Sequence, residues 1–162
     1  MTYLIDACVL IEAKNRHYGL DFVPAFWDWI RTAHQRELVY TVDRVLREVL
    51  LGRDELSDWI GRMPPTFSLK ETSADTEHIK TPVAWSESIR FSPDAKAEFA
   101  RSADLFLVAQ ARTLGYTVVT QESIVDERSR KRVKIPNACK QLGVPCVNAF
   151  EMLRSEQARF VL

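Results

Sequence analysis

Acidic residues at the carboxyl ends of predicted strands are the first candidates for chemistry in this chain. Asp6 ends the apolar run 3–5, which is typical of a central buried strand. Glu122 follows a second such run, 116–120, and the two strands are expected side by side in a parallel sheet. In open α/β sheets, ligands bind outside the carboxyl ends of the strands. We therefore expect Asp6 to anchor a metal site whose other ligands come from far along the chain.

Two further acids lie on predicted helices. Glu48 borders the apolar face of a helix that Thr41 caps; alternatively it pairs with Arg44 on a solvated face, and spacing alone leaves both open. Asp104 lies in the first turn of a helix capped by Ser102, where the helix dipole favours an acid whatever its function. That helix is apolar nearly all round, which predicts that it is buried and that its acid faces a crevice. An all-carboxylate set suits Mg²⁺ or Mn²⁺.

A basic stretch follows Glu122. Its cationic residues are Arg128, Arg130, Lys131, Arg132 and Lys134, against Asp126 and Glu127. Most charge runs are solvated surface, which is one interpretation here. Beside an acidic metal pocket, however, a cationic loop is what a phosphate-backbone substrate needs.

Composition narrows the class of protein. The 162 residues are 46% hydrophobic and 27% charged with a formal net charge of zero, which predicts one globular domain spanning residues 1–162. No apolar run approaches the ~18 residues that span a bilayer, and the run before Asp6 is too short for a signal peptide, so we expect a cytoplasmic protein. Three cysteines without CxxC spacing predict neither a disulfide framework nor a zinc site. The three histidines are expected on the surface.

The elements that must position the acids alternate along the chain. Helices are predicted at 7–18, 24–38, 42–51, 54–63, 93–99, 103–114, 136–142 and 149–159, and strands at 3–5, 66–70, 116–120 and 144–147. Glycines stop several of these helices, as at Gly115 and Gly143. Alternating helices and buried strands predict right-handed βαβ units and a parallel sheet covered on both faces.

The order and context of the four acids resemble the PIN-domain family of nucleases. The residues that carry the resemblance are 4–7 (Leu-Ile-Asp-Ala), 45–48 (Val-Leu-Arg-Glu), 103–109 (Ala-Asp-Leu-Phe-Leu-Val-Ala) and 118–122 (Val-Val-Thr-Gln-Glu). The segments 26–29, 134–139 and 150–154 are more narrowly similar to a bacterial subgroup known mainly as a domain of unknown function. The resemblance covers almost the whole chain.

The resemblance implies a three-layer α/β/α PIN-like fold with a central, mostly parallel sheet. It implies a Mg²⁺- or Mn²⁺-dependent ribonuclease, often the toxin of a toxin–antitoxin pair as in VapC-type proteins, with an antitoxin partner and a homodimer. Asp6, Glu48, Asp104 and Glu122 are carried over as the catalytic and metal-binding acids, with RNA held by the basic stretch.

Two positions depart from the family pattern. Where Cys8 stands the family usually has Asn or a small hydroxylic residue, so a polar contact to Asp6 is expected to be missing, and Thr120 is expected to support the pocket instead. The last acid of the family is often Asp, and Asp126 is a candidate to share the role of Glu122. Two alternatives stay open: a non-catalytic PIN-like interaction module with a degenerate site, and a Mg²⁺-dependent phosphatase.

Overall fold

A computed structural model describes residues 1–72, 80, 92–123 and 133–160. Strands β1 to β5 are Tyr3–Ile5, Val39–Val42, Ser68–Leu69, Thr117–Val119 and Cys146–Val147. Helices α1 to α8 are Ala7–Glu12, Pro24–Gln35, Asp43–Leu51, Glu55–Gly61, Pro93–Arg101, Ala103–Leu114, Ile135–Leu142 and Ala149–Ser155. A π-helical turn, Ala13–His17, extends α1, and a 3₁₀ turn, Pro65–Phe67, precedes β3.

The described strands form one parallel sheet in the order β3-β2-β1-β4-β5. β1 is central, with Tyr3 opposite both Val39 and Thr117. Ile5 pairs with Val119, so the residues that follow β1 and β4 emerge together at the carboxyl edge of the sheet. Helices flank the sheet, and the predicted α/β class with a parallel sheet is confirmed.

The core surrounds β1 and includes residues of α2 and α6. Leu4 and Ile5 are completely buried, as is Ile30 of α2. α6 buries most of its length, from Leu105 to Ala111, as predicted from its apolar composition. Within the described residues, no helix is long and apolar enough to cross a membrane.

Local signals gave most helix ends correctly. Ser92 and Ser102 each accept a backbone N–H at the start of a helix, and Asn148 forms a capping box with Glu151. α6 and α7 end at glycines with φ of 69° and 67°, a conformation that a side chain strains. These ends need only neighbours along the chain, which is why a sequence pattern can place them.

The prediction that Thr41 caps a helix is wrong. Thr41 lies inside β2, where its hydroxyl donates to the backbone oxygen of Ile5 at 2.8 Å. α3 starts directly afterwards with Val42 as its N-cap and without a side-chain cap. Because no turn residue separates strand from helix, the β-branched segment merged with the helical pattern that follows it.

One histidine also differs from expectation. His34 is buried, and its ring nitrogens lie 3.1 Å from the Val39 backbone oxygen and 3.0 Å from the Thr66 hydroxyl oxygen. His17 is exposed as predicted, and His78 lies outside the described residues. The partners of His34 belong to a neighbouring strand and a distant turn, and they satisfy its polar atoms inside the core.

Candidate active site

Asp6 is a buried carboxylate at the carboxyl end of the central strand. Only 5% of the residue is exposed, and its backbone N–H donates to the Val119 oxygen at 2.9 Å, which fixes it beside β4. Its Oδ2 accepts hydrogen bonds from the Cys8 thiol at 2.6 Å and from the Thr120 hydroxyl at 3.1 Å. Burial raises the pKa of Asp6, the two hydrogen bonds oppose that rise, and the nearby charge of Glu122 adds to it.

Cys8 supplies a polar contact to Asp6, although the resemblance to the PIN family led us to expect that this contact would be missing. The expectation of a missing contact is wrong, because a thiol also donates a hydrogen bond. The Cys8 sulfur lies 3.2 Å from the Thr120 hydroxyl oxygen and accepts the Gln121 backbone N–H at 3.2 Å. Burial, followed by the charge of Asp6, raises the pKa of Cys8, so the thiol keeps its proton and stays a donor. Cys8 and Thr120 therefore both hold the Oδ2 atom of Asp6.

The segment after β4 completes this arrangement. Thr120 is buried, and its hydroxyl accepts the Glu122 backbone N–H at 3.2 Å in addition to contacting Asp6. The Gln121 side-chain oxygen accepts the backbone N–H of Ala149 at the start of α8. Gln121 was not among the sequence candidates, because its contact with Cys8 uses a backbone N–H that any residue except proline carries, and its side-chain contact is with a residue 28 positions later.

Glu122 lies at the same edge, and both of its oxygens have partners. Oε1 accepts from the Lys134 ammonium at 2.8 Å, and Oε2 accepts from the backbone N–H of Ile135, the first residue of α7, at 2.9 Å. The two side chains are 11% and 24% exposed, so the ion pair is shielded from water. In this arrangement Glu122 fastens the start of α7 to the end of β4, and Lys134 is bound to an acid.

Several sequence candidates lie outside the described residues. They are Asp126 and the cationic residues Arg128, Arg130, Lys131 and Arg132. Of the predicted RNA-binding set, Lys134 is the residue whose contacts are described.

Glu48 and Asp104 lie on helices α3 and α6. Both line one cavity of about 170 Å³ between α3, α5 and the start of α6, and Glu98 of α5, which sequence reasoning did not single out, lines it as well. Glu48 is exposed on α3, and Asp104 is partly buried in the first turn of α6. Since α6 runs back towards the start of β4, its first turn lies at the edge of the sheet where β4 ends.

The alternative partner for Glu48 is engaged elsewhere. Arg44 forms an ion pair with Glu71, and its guanidinium lies 3.3 Å from the centroid of the Phe106 ring. Both contacts come from segments distant in sequence, so the four-residue spacing between Arg44 and Glu48 did not indicate them. Glu48 itself lines the cavity shared with Asp104.

The four acids have the right donor atoms for a hard divalent cation, but the described side chains are not grouped as a metal site requires. All four predicted acids offer carboxylate oxygens, the ligands that Mg²⁺ and Mn²⁺ prefer. In the part of the chain that is described, no three His, Cys, Asp or Glu side chains are grouped closely enough to hold a metal ion. The charge of Glu122 acts on Asp6, and Glu48 and Asp104 line one cavity.

Comparisons with known proteins agree with this architecture. The fold is similar to that of a chain in the crystal structure of VapBC2 from Rickettsia felis bound to a DNA fragment from their promoter. The TM-score is 0.56 at 14% identity, covering 91% of this chain and 98% of that chain. At this identity the likeness concerns the fold, and the parallel sheet flanked by helices is the PIN-like fold that the sequence resemblance predicted.

Sequence comparison then gives the family. Residues 3–160 match the family described as "Domain of unknown function (DUF4411)", and the chain belongs to that family. No curated protein matches the chain.

Proposed function

We propose that this protein is a Mg²⁺- or Mn²⁺-dependent endoribonuclease that hydrolyses RNA phosphodiester bonds. The observation that carries the proposal is the buried Asp6 carboxylate, held by Cys8 and Thr120 at the carboxyl edge of a PIN-like sheet. Placing a carboxylate there costs stability, since burial disfavours its charge. A bound divalent cation would favour the charged form, so the stability lost by burying Asp6 would serve metal binding.

The four acids have distinct roles in the proposal. Asp6 and Asp104 hold the cation, with Glu48 and Glu122 binding it directly or through water, and Asp126 is a further candidate beside Glu122. When bound, the cation lowers the pKa of a water molecule and offsets charge on the phosphoryl oxygens. Cys8 and Thr120 orient Asp6 by donating to Oδ2. The expected products carry 5′-phosphate and 3′-hydroxyl ends.

The cationic residues would position the polymer. We propose that Arg128, Arg130, Lys131 and Arg132 contact the RNA backbone, as phosphate contacts fix register and orientation. The Lys134 ammonium lies 2.8 Å from Glu122, and its remaining N–H donors could still contact a phosphate.

The biological role proposed is that of the toxin in a toxin–antitoxin pair. The VapBC2 structure, described as bound to a DNA fragment from their promoter, supports a protein partner of this kind. A homodimer in the cytoplasm completes the proposal, following the family resemblance. A small DNA-binding protein encoded beside this one would favour the role, and its isolation as a stable complex would test it.

An activity assay tests the nuclease itself. Pure protein is incubated with structured RNA and Mn²⁺, and cleavage is compared between wild type and an Asp6→Asn, Asp104→Asn double variant. We expect the double variant to lose activity, whereas Asp28→Asn, at an exposed site on α2, cleaves like wild type. Equal cleavage by wild type and the double variant would sink the assignment.

A non-catalytic interaction module is the second candidate. The observation in its favour is that the described residues contain no metal-holding group of three. Calorimetry with Mn²⁺ separates the two: measurable affinity that the double variant loses supports the nuclease. No Mn²⁺ binding together with intact RNA supports the module.

A further inference from the structure

Arg44 lies at the carboxyl edge of the sheet, beside the candidate active site. It is the second residue of α3, which begins directly after β2, and β2 is a neighbour of β1 in the sheet. Asp6 follows β1 at the same edge, because the two strands are parallel. Glu48 comes four residues after Arg44, so the two positions lie one turn apart on the same face of α3. A cation is therefore placed on the β2 side of the candidate acids.

The ring of Phe106 supports the Arg44 guanidinium. The central carbon of the guanidinium lies over this ring, 3.3 Å from its centroid. Phe106 belongs to the first turn of α6, two residues after Asp104. The contact between Arg44 and Phe106 thus joins the two helices that carry Glu48 and Asp104, and it restricts the plane in which the guanidinium can lie.

Glu71 binds one edge of the same guanidinium. Arg44 Nε donates to Glu71 Oε1 at 2.5 Å, and Arg44 Nη2 donates to Glu71 Oε2 at 3.4 Å. A guanidinium carries five N–H groups, so three remain after these two contacts, and among the described residues they have no other acceptor. The Arg44 and Glu71 side chains are 36% and 39% exposed, so a ligand can reach the ion pair from solvent.

A phosphate group in a polymer is the ligand that this arrangement favours. The planar fork of a guanidinium matches phosphate oxygens, and a guanidinium that is already oriented loses less freedom on binding. Lys134, which is paired with Glu122, provides a second cation on the β4 side of Asp6. Because β1 lies between β2 and β4, the two cations flank Asp6 along the carboxyl edge. A chain of phosphates that crosses this edge would meet both.

Given the proposed nuclease function, we propose that Arg44 binds a backbone phosphate of the RNA on the β2 side of Asp6. Phe106 holds the plane of the guanidinium, Glu71 holds one edge, and the three remaining N–H groups donate to the phosphate oxygens. A contact of this kind fixes where the RNA lies relative to the acids, but it reads no base. Its contribution to binding should therefore depend on salt concentration and be the same for different RNA sequences.

Fluorescence anisotropy with a fluorescein-labelled poly(U) oligonucleotide tests the contact in the full chain. EDTA keeps divalent cations away, so the RNA stays intact during the titration. We expect Arg44→Met to weaken binding about tenfold or more, as for a hydrogen bond to a charged group. It should also reduce the slope of log affinity against log salt concentration by ~0.7, the value for one phosphate contact on a single strand.

Arg47→Met is the matched control for this variant. Arg47 lies on the same helix, its side chain is 74% exposed, and it is 3.7 Å from Asp43. The substitution removes the same charge three residues further along the chain, and we expect it to leave the salt slope at the wild-type value. An equal reduction of the slope by Arg47→Met and Arg44→Met would mean that only the net charge matters, and it would overturn the proposal.

Glu71→Gln separates a phosphate contact from a purely structural ion pair. Both Glu71→Gln and Arg44→Met break the pair, so the two variants would weaken RNA binding alike if the pair only held α3 in place. If Arg44 binds phosphate, Glu71→Gln removes a competing negative charge, and binding should be as tight as in wild type or tighter. Equal weakening by the two variants, or wild-type affinity and salt slope in Arg44→Met, would overturn the proposal.

Binding and cleavage together distinguish the failure of this contact from the failure of the nuclease. If wild type leaves RNA uncut in Mn²⁺ but Arg44→Met weakens binding as expected, the phosphate contact stands and the nuclease assignment fails. If wild type cuts RNA and Arg44→Met binds it equally well, the nuclease stands and the contact fails. RNA that does not bind wild type at low salt would also overturn the contact.

Discussion

Asp6 is a carboxylate that the fold shields almost completely from water. It carries a raised pKa, yet two side chains donate to a single one of its oxygens. The sequence indicated the acid, because an apolar run that ends in a carboxylate is visible in eight residues. It could not indicate the environment, because Thr120 is 114 residues away.

The role of Cys8 can be tested at the residue scale. Cys8→Ser keeps a donor for Asp6 and is expected to retain activity, while Cys8→Ala removes the donor and is expected to lose about 10- to 100-fold, as for other groups that orient a metal ligand. RNA cleavage rates with Mn²⁺ give the comparison. If serine and alanine prove equally active, Cys8 does not orient Asp6.

Asp6 also predicts a pH dependence of stability. Because burial raises its pKa above 3.8, the folded chain holds a proton where the unfolded chain has lost it. Stability is therefore lost as the pH rises from about 3.8 through the raised value, and the loss is constant above it. Asp6→Asn removes this term, so its advantage over wild type should grow across that window in metal-free urea denaturation. A difference independent of pH would contradict the shift.

At the scale of elements, the sequence predicted capping residues and helix-ending glycines, but it did not predict the short strand β2. Pro93, Ser102 and Gly115 act on their own helix ends, so the sequence predicts them. β2 was not predicted because it is defined as a strand by its pairing with β1 and β3, and both of those strands are distant from it along the chain. The same holds for Glu122, whose role as a fastening for α7 rests on Lys134 and the Ile135 N–H.

The N-cap of α4 offers an element-scale prediction. Asp54 accepts two backbone N–H groups in a capping box and pairs with Lys14, whose hydrogen bond is the main cause that lowers the pKa of Asp54 to about 2. Asp54→Ala should cost about 1 kcal/mol for the cap. The pair adds no more than ~1 kcal/mol, since the Asp54 side chain is 38% exposed and solvent screens it.

Asn in place of Asp54 isolates the charge. Asp54→Asn keeps the cap and loses the attraction to Lys14, whose contribution is present above pH 3.8 and disappears as the pH falls towards 2. Chemical denaturation should show the gap between wild type and Asp54→Asn closing over that range. A gap that stays open at low pH would mean that Lys14 does not lower the pKa of Asp54.

The central strand of the sheet, β1, is only three residues long. β1 has neighbours on both sides, and Leu4 within it is completely buried, whereas Leu51 at the end of α3 is 78% exposed. Leu4→Ala should cost about 2–5 kcal/mol in the free energy of unfolding. Leu51→Ala, the same chemical change on the surface, should stay within ~0.5 kcal/mol. Urea denaturation measures both, and similar losses would contradict the burial of Leu4 in β1.

The pairing of β1 with β4 also sets when the surroundings of Asp6 can form during synthesis. Asp6 leaves the ribosome early, but the hydroxyl that holds it belongs to a residue made 114 positions later. At ordinary translation rates of 5–20 residues per second, that interval is roughly 6–23 s. If the chain cuts RNA, the site that cuts it cannot form until Thr120 has been made. Until then, a nascent chain would leave RNA uncut, including the RNA of the ribosome that makes it.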